Sequence, residues 1–188
     1  GELRISGDEH HYLARVRRAR IGDAVELVDG AGCRAVAVIE RVTEHETVLR
    51  VGDPEVIAAK PPFVRTLVPL IKGDRMDACL EKLVEVGVDE IVVWPAARSV
   101  VKLDGERRDA RLAKYEAAML AAARQCGRAQ IPAVVFVDDL AGAIATAPGL
   151  RLVLDPASDA ALDVGDAIDV TIASGPEGGL SRGELDQL

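Results

Sequence analysis

The feature that most constrains this chain is a change of hydrophobic period at Pro61-Pro62. After Phe63, short β-branched runs alternate with segments of helical period. Val64 to Ile71 and Glu90 to Pro95 read as strands, while Met76, Cys79, Leu80, Leu83 and Gly87 between them follow i, i+3, i+4 spacing. Leu112, Tyr115, Met119, Ala122 and Cys126 mark one face of a long helix, closed by Gly127 with Pro132 beyond. Ala133 to Val137, a helix near Asp139 to Ala145, Arg151 to Asp155 and Asp169 to Ser174 continue the series. Strands alternating with helices predict a parallel sheet, hence an α/β domain from residue 63 to residue 188.

Residues 1–57 predict a different unit. Leu3 to Ser6 is a short strand, Asp8 to Ala19 holds one or two helical turns, and alternation resumes in Ala24–Val28, Arg34–Val42 and Thr47–Val51. Asp29-Gly30-Ala31-Gly32 is a hairpin turn signal. Short strands with turns every eight to twelve residues suggest a small β-barrel. Residues 58–62 form a stiff linker, because consecutive prolines cannot join a sheet ladder. A length of 188 residues accommodates both units.

Composition narrows the partners. The longest apolar runs, such as Ile91 to Pro95, are far too short to span a bilayer, and no signal peptide opens the sequence. Cys33, Cys79 and Cys126 lie far apart without ligand spacing, and read as reduced core or near-core thiols of a cytoplasmic protein. His10, His11 and His45 show no ligand spacing either, so no metal is expected. The net charge of −8 argues at first against a polyanionic partner. Yet ten acidic residues and only two arginines lie from Asp138 onward, so the whole excess sits there and residues 1–137 are balanced. A neutral front portion can carry a basic face.

Such a face is visible in Arg15-Val-Arg17-Arg18-Ala-Arg20 beside His11 and Tyr12. Guanidinium groups pair phosphates and an aromatic ring stacks on bases, so Arg15, Arg17, Arg18, Arg20 and Tyr12 are candidate RNA-binding residues. A second cluster, Arg107, Arg108, Arg111 and Lys114, is interleaved with Asp104, Glu106 and Asp109 and reads as an exposed helix face with intrahelical pairs. Trp94 reads as core, or near the exit of its strand.

The sharpest signal is Ser174-Gly175-Pro176-Glu177-Gly178-Gly179-Leu180-Ser181, directly after an apolar strand. Ser181-Arg182-Gly183-Glu184 is a capping box opening a helix. Open α/β sheets bind ligands at such strand ends, and glycines let the backbone approach a ligand closely. Neither the Walker ending nor GxGxxG is present. Glu177 orders the loop by accepting amide bonds, or faces water.

The stretch Gly175 to Ser181 resembles the signature of the ribosomal RNA small-subunit uridine-N3 methyltransferases, the RsmE family of the knotted SPOUT class. Other segments match in the same order. His11-Tyr12-Leu13, Val16-Arg17-Arg18, Arg20-Ile21-Gly22-Asp23 and Asp29-Gly30 resemble the family's PUA-like RNA-binding module. Lys72 to Met76 and Lys82 to Val88 resemble its first βα unit, and Arg98-Ser99-Val100 with Gln125-Cys126-Gly127-Arg128 its central block. The resemblance implies a PUA-like barrel followed by a SPOUT trefoil-knot domain, and a homodimer that transfers methyl from S-adenosylmethionine to N3 of one uridine in 16S ribosomal RNA. It assigns cofactor contacts to Leu154, Ser174, Gly175, Pro176, Glu177, Gly178, Gly179 and Leu180.

The family continues to a second loop, resembling Leu-Gly-Pro-Arg-(Ile/Val)-Leu-Arg-Thr-Glu-Thr, which closes the knot. Against that pattern the sequence, ending at Leu188, is expected to be truncated, to bind cofactor weakly or not at all, and to be inactive as it stands. Methyl transfer from a sulfonium is chiefly a matter of alignment, but uridine N3 carries a proton and its anion needs stabilising. Arg128, Arg98 and Lys72 are the candidates for that electrostatic role, and no base is assigned. Two alternatives stand beside this reading: a non-catalytic RNA-binding protein that has lost the knot, and an α/β protein using the glycine-rich loop for nucleotide phosphates.

Overall fold

The computed structural model describes residues 1–98 and 105–188, and the chain divides into two units, Gly1–Ala58 and Ala59–Leu188. In the first, β1 (Glu2–Ser6), β2 (Ala24–Val28), β3 (Cys33–Val42) and β4 (Glu46–Val51) pair antiparallel in the order β1-β4-β3-β2. A two-residue β5 (Glu55–Val56), too short to show any period, adds to β3. Alternation along the strands puts Ala37 and Ile39 of β3 and Leu49 of β4 on one buried face, with Ile5, Val25 and Leu27 against them. The β3–β4 register shifts between Ile39 and Arg41, so a bulge sits in this pairing.

Helix α1 (Gly7–His11) runs on into a single π-turn, Tyr12–Val16. His10 is buried and anchors it. Nδ1 lies 2.9 Å from Thr47 Oγ1 and Nε2 lies 3.2 Å from the Glu44 carbonyl oxygen. Because a carbonyl only accepts, these partners assign the proton to Nε2 and leave Nδ1 to accept from the threonine hydroxyl.

In the second unit β6 (Phe63–Pro69), β7 (Glu90–Trp94), β8 (Ala133–Phe136), β9 (Leu150–Leu154) and β10 (Asp169–Ser174) form one parallel sheet in the order β8-β7-β6-β10-β9. Helices α2 (Asp74–Glu85) and α3 (Gly105–Cys126) cover one face through Met76, Leu80, Val84, Tyr115 and Met119. On the other face Leu140 and Ala143 of α4 (Leu140–Ala145) pack with Leu67, Trp94 and Ala173. Trp94, 1% exposed, is core. Asp139 caps α4, its Oδ1 accepting from the Gly142 amide at 2.7 Å. The chain leaves β6 towards β7 and β8, then returns to lay β9 and β10 on the opposite side. The carboxyl ends of β6 and β10 thus form the crevice where open α/β sheets take ligands.

Two expectations need correction. Cys126, the last residue of α3, is exposed, whereas Cys33 and Cys79 are partly buried. Arg108 and Lys114 of α3 do not pair within their helix as described. Arg108 reaches across to the Asp138 carboxylate (2.8 Å), the Phe136 carbonyl and the Phe136 ring, and Lys114 reaches Asp77 on α2 at 2.6 Å. Asp104 lies outside the described residues. Among the described residues no helix is long and apolar enough to cross a membrane, and no three His, Cys, Asp or Glu side chains gather as metal ligands do.

Candidate functional site

The loop Gly175–Ser181 leaves β10 at the crevice and ends on α5 (Arg182–Leu185). It turns sharply: the Gly179 amide donates to the Pro176 carbonyl at 2.7 Å, and Gly179 sits at φ +71°, in the left-handed region open to glycine. Gly175 is required for a steric reason. A Cβ there would lie 2.8 Å from the Leu180 nitrogen and 3.0 Å from Leu180 Cγ, since the loop folds back on its own start. Leu180 in turn packs against the Trp94–Leu140 cluster.

Contacts with Ala97, Arg98 and Arg75 of other segments fix this loop. Glu184 is buried, and its carboxylate accepts from the Ala97 amide and from the Ser181 amide, both at 2.7 Å. Burial alone would raise its pKa, but the amide bonds from Ala97 and Ser181 and the nearby Arg98 outweigh it and leave the group below its ordinary value. Arg98, next to Ala97, donates to the Gly178 carbonyl and lays its stem along Gly178. Arg75, in the first turn of α2, meets Glu177 at 2.6 Å. Glu177 is likewise held below the usual carboxylate range, first by its own backbone amide and then by Arg75.

Two hollows adjoin the loop. A cleft of 480 Å³ is lined by Leu70, Ile71, Lys72, Arg75, Arg98 and the Pro176-Glu177 segment. An apolar groove of 360 Å³ runs between Thr66 and Val68 of β6, Leu83 of α2, Ile172 and Ser174 of β10, and Leu154 of β9. Leu154, paired with Ser174 across the ladder, is 55% exposed at its rim.

The structure therefore gathers Lys72, Arg98, Leu154 and Ser174 to Leu180 at one end of the sheet. It does not bring Arg128 there. Arg128 follows α3 at the amino end of β7, where its guanidinium donates to Asp89 Oδ1 and to the Val84 carbonyl, each at 3.1 Å. Arg128→Ala leaves both acceptors short of a donor, so we expect a loss of about 1–3 kcal/mol. A thermal melt lowered by several degrees would show it, and an unchanged melt would contradict the assignment. Ser99 and Val100 lie outside the described residues.

Arg15, Arg17, Arg18, Arg20 and Tyr12 are all exposed in the first unit, on and just after the π-turn. Arg18 adopts φ +53°, which turns the backbone sharply in the middle of the run. Sequence reasoning missed Arg75 and the second bond of Glu184. The capping box was readable, but nothing local marks a carboxylate whose other partner is 87 residues away.

Two families match the chain: an RNA methyltransferase domain over residues 59–188 and an RNA methyltransferase PUA domain over residues 5–52. A relative from Mycobacterium bovis, named ribosomal RNA small subunit methyltransferase E, is 31% identical over 193 residues, covering 98% of this chain and 74% of the relative. A structure from Legionella pneumophila, solved in complex with the bound cofactor SAM, superposes with a TM-score of 0.82 at 27% identity, over 99% of this chain and 78% of that one. A ribosomal RNA small subunit methyltransferase E from Neisseria gonorrhoeae, bound to S-adenosyl methionine, gives a TM-score of 0.79 at 26% identity, over 100% and 79%.

Proposed function

Because the chain belongs to the ribosomal RNA small subunit methyltransferase E family, we propose that its glycine-rich loop cradles S-adenosylmethionine for methylation of uridine N3 in 16S ribosomal RNA. The observation that carries this reading is the loop itself: a tightly folded, glycine-lined turn at the switch point of a parallel sheet, braced by Glu184 and Arg98 from below.

The residues present fit the cofactor. Gly175 lets the loop fold back on its own start, where a Cβ would meet Leu180, and so keeps the turn closed, while Leu154 and the apolar groove suit a flat base. Glu177, exposed on the loop, is an acceptor for hydroxyl or ammonium groups. When bound, S-adenosylmethionine supplies an activated methyl on a sulfonium; the chain's own task is alignment and charge. Lys72 and Arg98 border the adjoining cleft, where their positive charge favours the N3 anion of a uridine over its protonated form.

The first unit supplies the RNA affinity in this reading. Arg15, Arg17, Arg18 and Arg20 make no ion pair among the described residues, unlike Arg4, Arg34, Arg41 and Arg50, so they are available to phosphates. Arg17→Glu with Arg18→Glu should weaken binding to small-subunit RNA and reduce its logarithmic salt slope by about two. An unchanged slope would remove these residues from the interface. The working form is proposed to be a cytoplasmic homodimer.

Cofactor binding has its own test. The protein should bind S-adenosylmethionine in a calorimetric titration, and should not bind ATP. Binding of ATP in preference would favour a phosphate-binding protein instead.

A further inference from the structure

The cleft beside the loop holds three cations and one carboxylate, and they are not equally engaged. Lys72 is exposed and makes no ion pair among the described residues. Arg98 gives one nitrogen to a carbonyl. Arg75 is bound to Glu177 through a single Nη1–Oε1 contact, with the side chains 73% and 61% exposed. An exposed pair of this kind contributes little to stability and exchanges readily with a competing anion. A guanidinium offers a planar fork that a phosphate fills with two parallel hydrogen bonds, and this one-point contact leaves the fork half used.

We propose that Glu177 is a resident stand-in for a phosphate. It keeps Arg75 at the mouth of the cleft until a phosphodiester of the RNA strand enters, displaces the carboxylate and is held by the Arg75 fork, with Lys72 and Arg98 adding attraction at longer range. The cleft, at 480 Å³, has room for a phosphate with its sugar. Its charge favours an anion within a chain of net charge −8, so a backbone phosphate is drawn to this spot rather than to the surrounding surface. The displaced carboxylate stays on the glycine-rich loop, so entry of the strand changes the charge facing the cofactor side. The inference rests on the RNA methyltransferase reading above, but its test requires neither cofactor nor turnover.

The probe is uridine 5′-monophosphate, titrated into the chain and followed by the backbone amide resonances of Lys72, Arg75, Glu177 and Gly178. Those resonances should shift together with one Kd. Lys72→Ala and Arg75→Ala should each raise that Kd about tenfold. Glu177→Gln, which removes the competing anion and keeps the shape, should lower it about threefold. A structural role for the pair predicts the opposite sign, so weaker or unchanged binding by Glu177→Gln overturns the proposal. Arg75→Lys gives an independent reading: it keeps the charge but loses the fork, and should bind as poorly as Arg75→Ala. Binding as tight as wild type would overturn the bidentate assignment. Free methionine is the second arm, because its carboxylate is the other anion such a site could meet. Shifts at these four amides with methionine and not with the nucleotide would assign the cleft to the cofactor and end the proposal.

Discussion

Gly175→Ala is expected to weaken cofactor binding while the two units stay folded. The added methyl would stand 2.8 Å from the Leu180 nitrogen, 3.0 Å from Leu180 Cγ and 3.1 Å from the Gly179 carbonyl carbon. Two of these neighbours are backbone atoms of the same loop, so the strain is relieved only by opening the turn. Overpacking of this kind costs about 1–3 kcal/mol. We expect a fall in thermal stability of that order and an affinity for S-adenosylmethionine reduced by at least roughly tenfold, which is about 1.4 kcal/mol of binding energy. Gly178→Ala is the internal control. Its Cβ would meet Arg98 Cδ at 3.3 Å, and a flexible side chain can retreat by a few tenths of an ångström. The alanine at 178 should therefore cost distinctly less than the alanine at 175, and equal losses would count against the cradle described here.

Glu184→Ala is expected to have the larger effect on stability, and to reach the cleft indirectly. One carboxylate ties the loop after β7 to the loop after β10 by accepting from Ala97 and Ser181. Removing it leaves two amides without their acceptor, at about 1–3 kcal/mol for each that stays buried. Arg98 sits one residue beyond Ala97, so its hold on Gly178 should loosen as well. Hydrogen exchange at Ala97, Ser181 and Gly179 should rise together in the variant, ahead of the rest of the sheet. Glu184→Gln retains one carbonyl acceptor and should recover part of the loss. The pH dependence has a definite sign. The carboxyl lies below its ordinary pKa in the folded chain, so its contribution is complete above the ordinary carboxylate range, near 4.3, and disappears as pH falls through the lowered folded value. Acid should thus release this contact in wild type and have no such effect in Glu184→Ala.

Much of this architecture follows from local sequence. The β-branched runs at residues 64–71 and 90–95 with a helical period between them require a parallel crossover, and the structure has it in β6, α2 and β7. The capping box and the glycines likewise announce a loop that ends on a helix. What the sequence does not carry is the order of strands in the sheet. Nothing around Leu150 or Asp169 shows that β10 inserts next to β6 while β9 goes to the edge, because that choice is made by long-range pairing. Side-chain roles divide in the same way. Arg98 and Lys72 lie close to strand ends in sequence and meet the loop in space. Arg128, set beside a glycine after a long helix, looks equally well placed, but its partners are 39 and 44 residues away at the other end of the sheet. Arg108 is misread for the same reason: nearby acidic residues suggest intrahelical pairs, while Phe136 and Asp138 provide a ring, a carbonyl and a carboxylate together.

The most direct measurement is the identity of the methylated nucleoside. Small ribosomal subunits lacking the modification would be incubated with the protein and with S-adenosylmethionine bearing a deuterated methyl group, and their 16S ribosomal RNA digested for mass spectrometry. A single labelled 3-methyluridine, its yield several-fold lower at limiting cofactor when the Gly175→Ala variant is used, is the predicted result. Label on another base, on ribose, or at the same level with the Gly175→Ala variant would contradict the account.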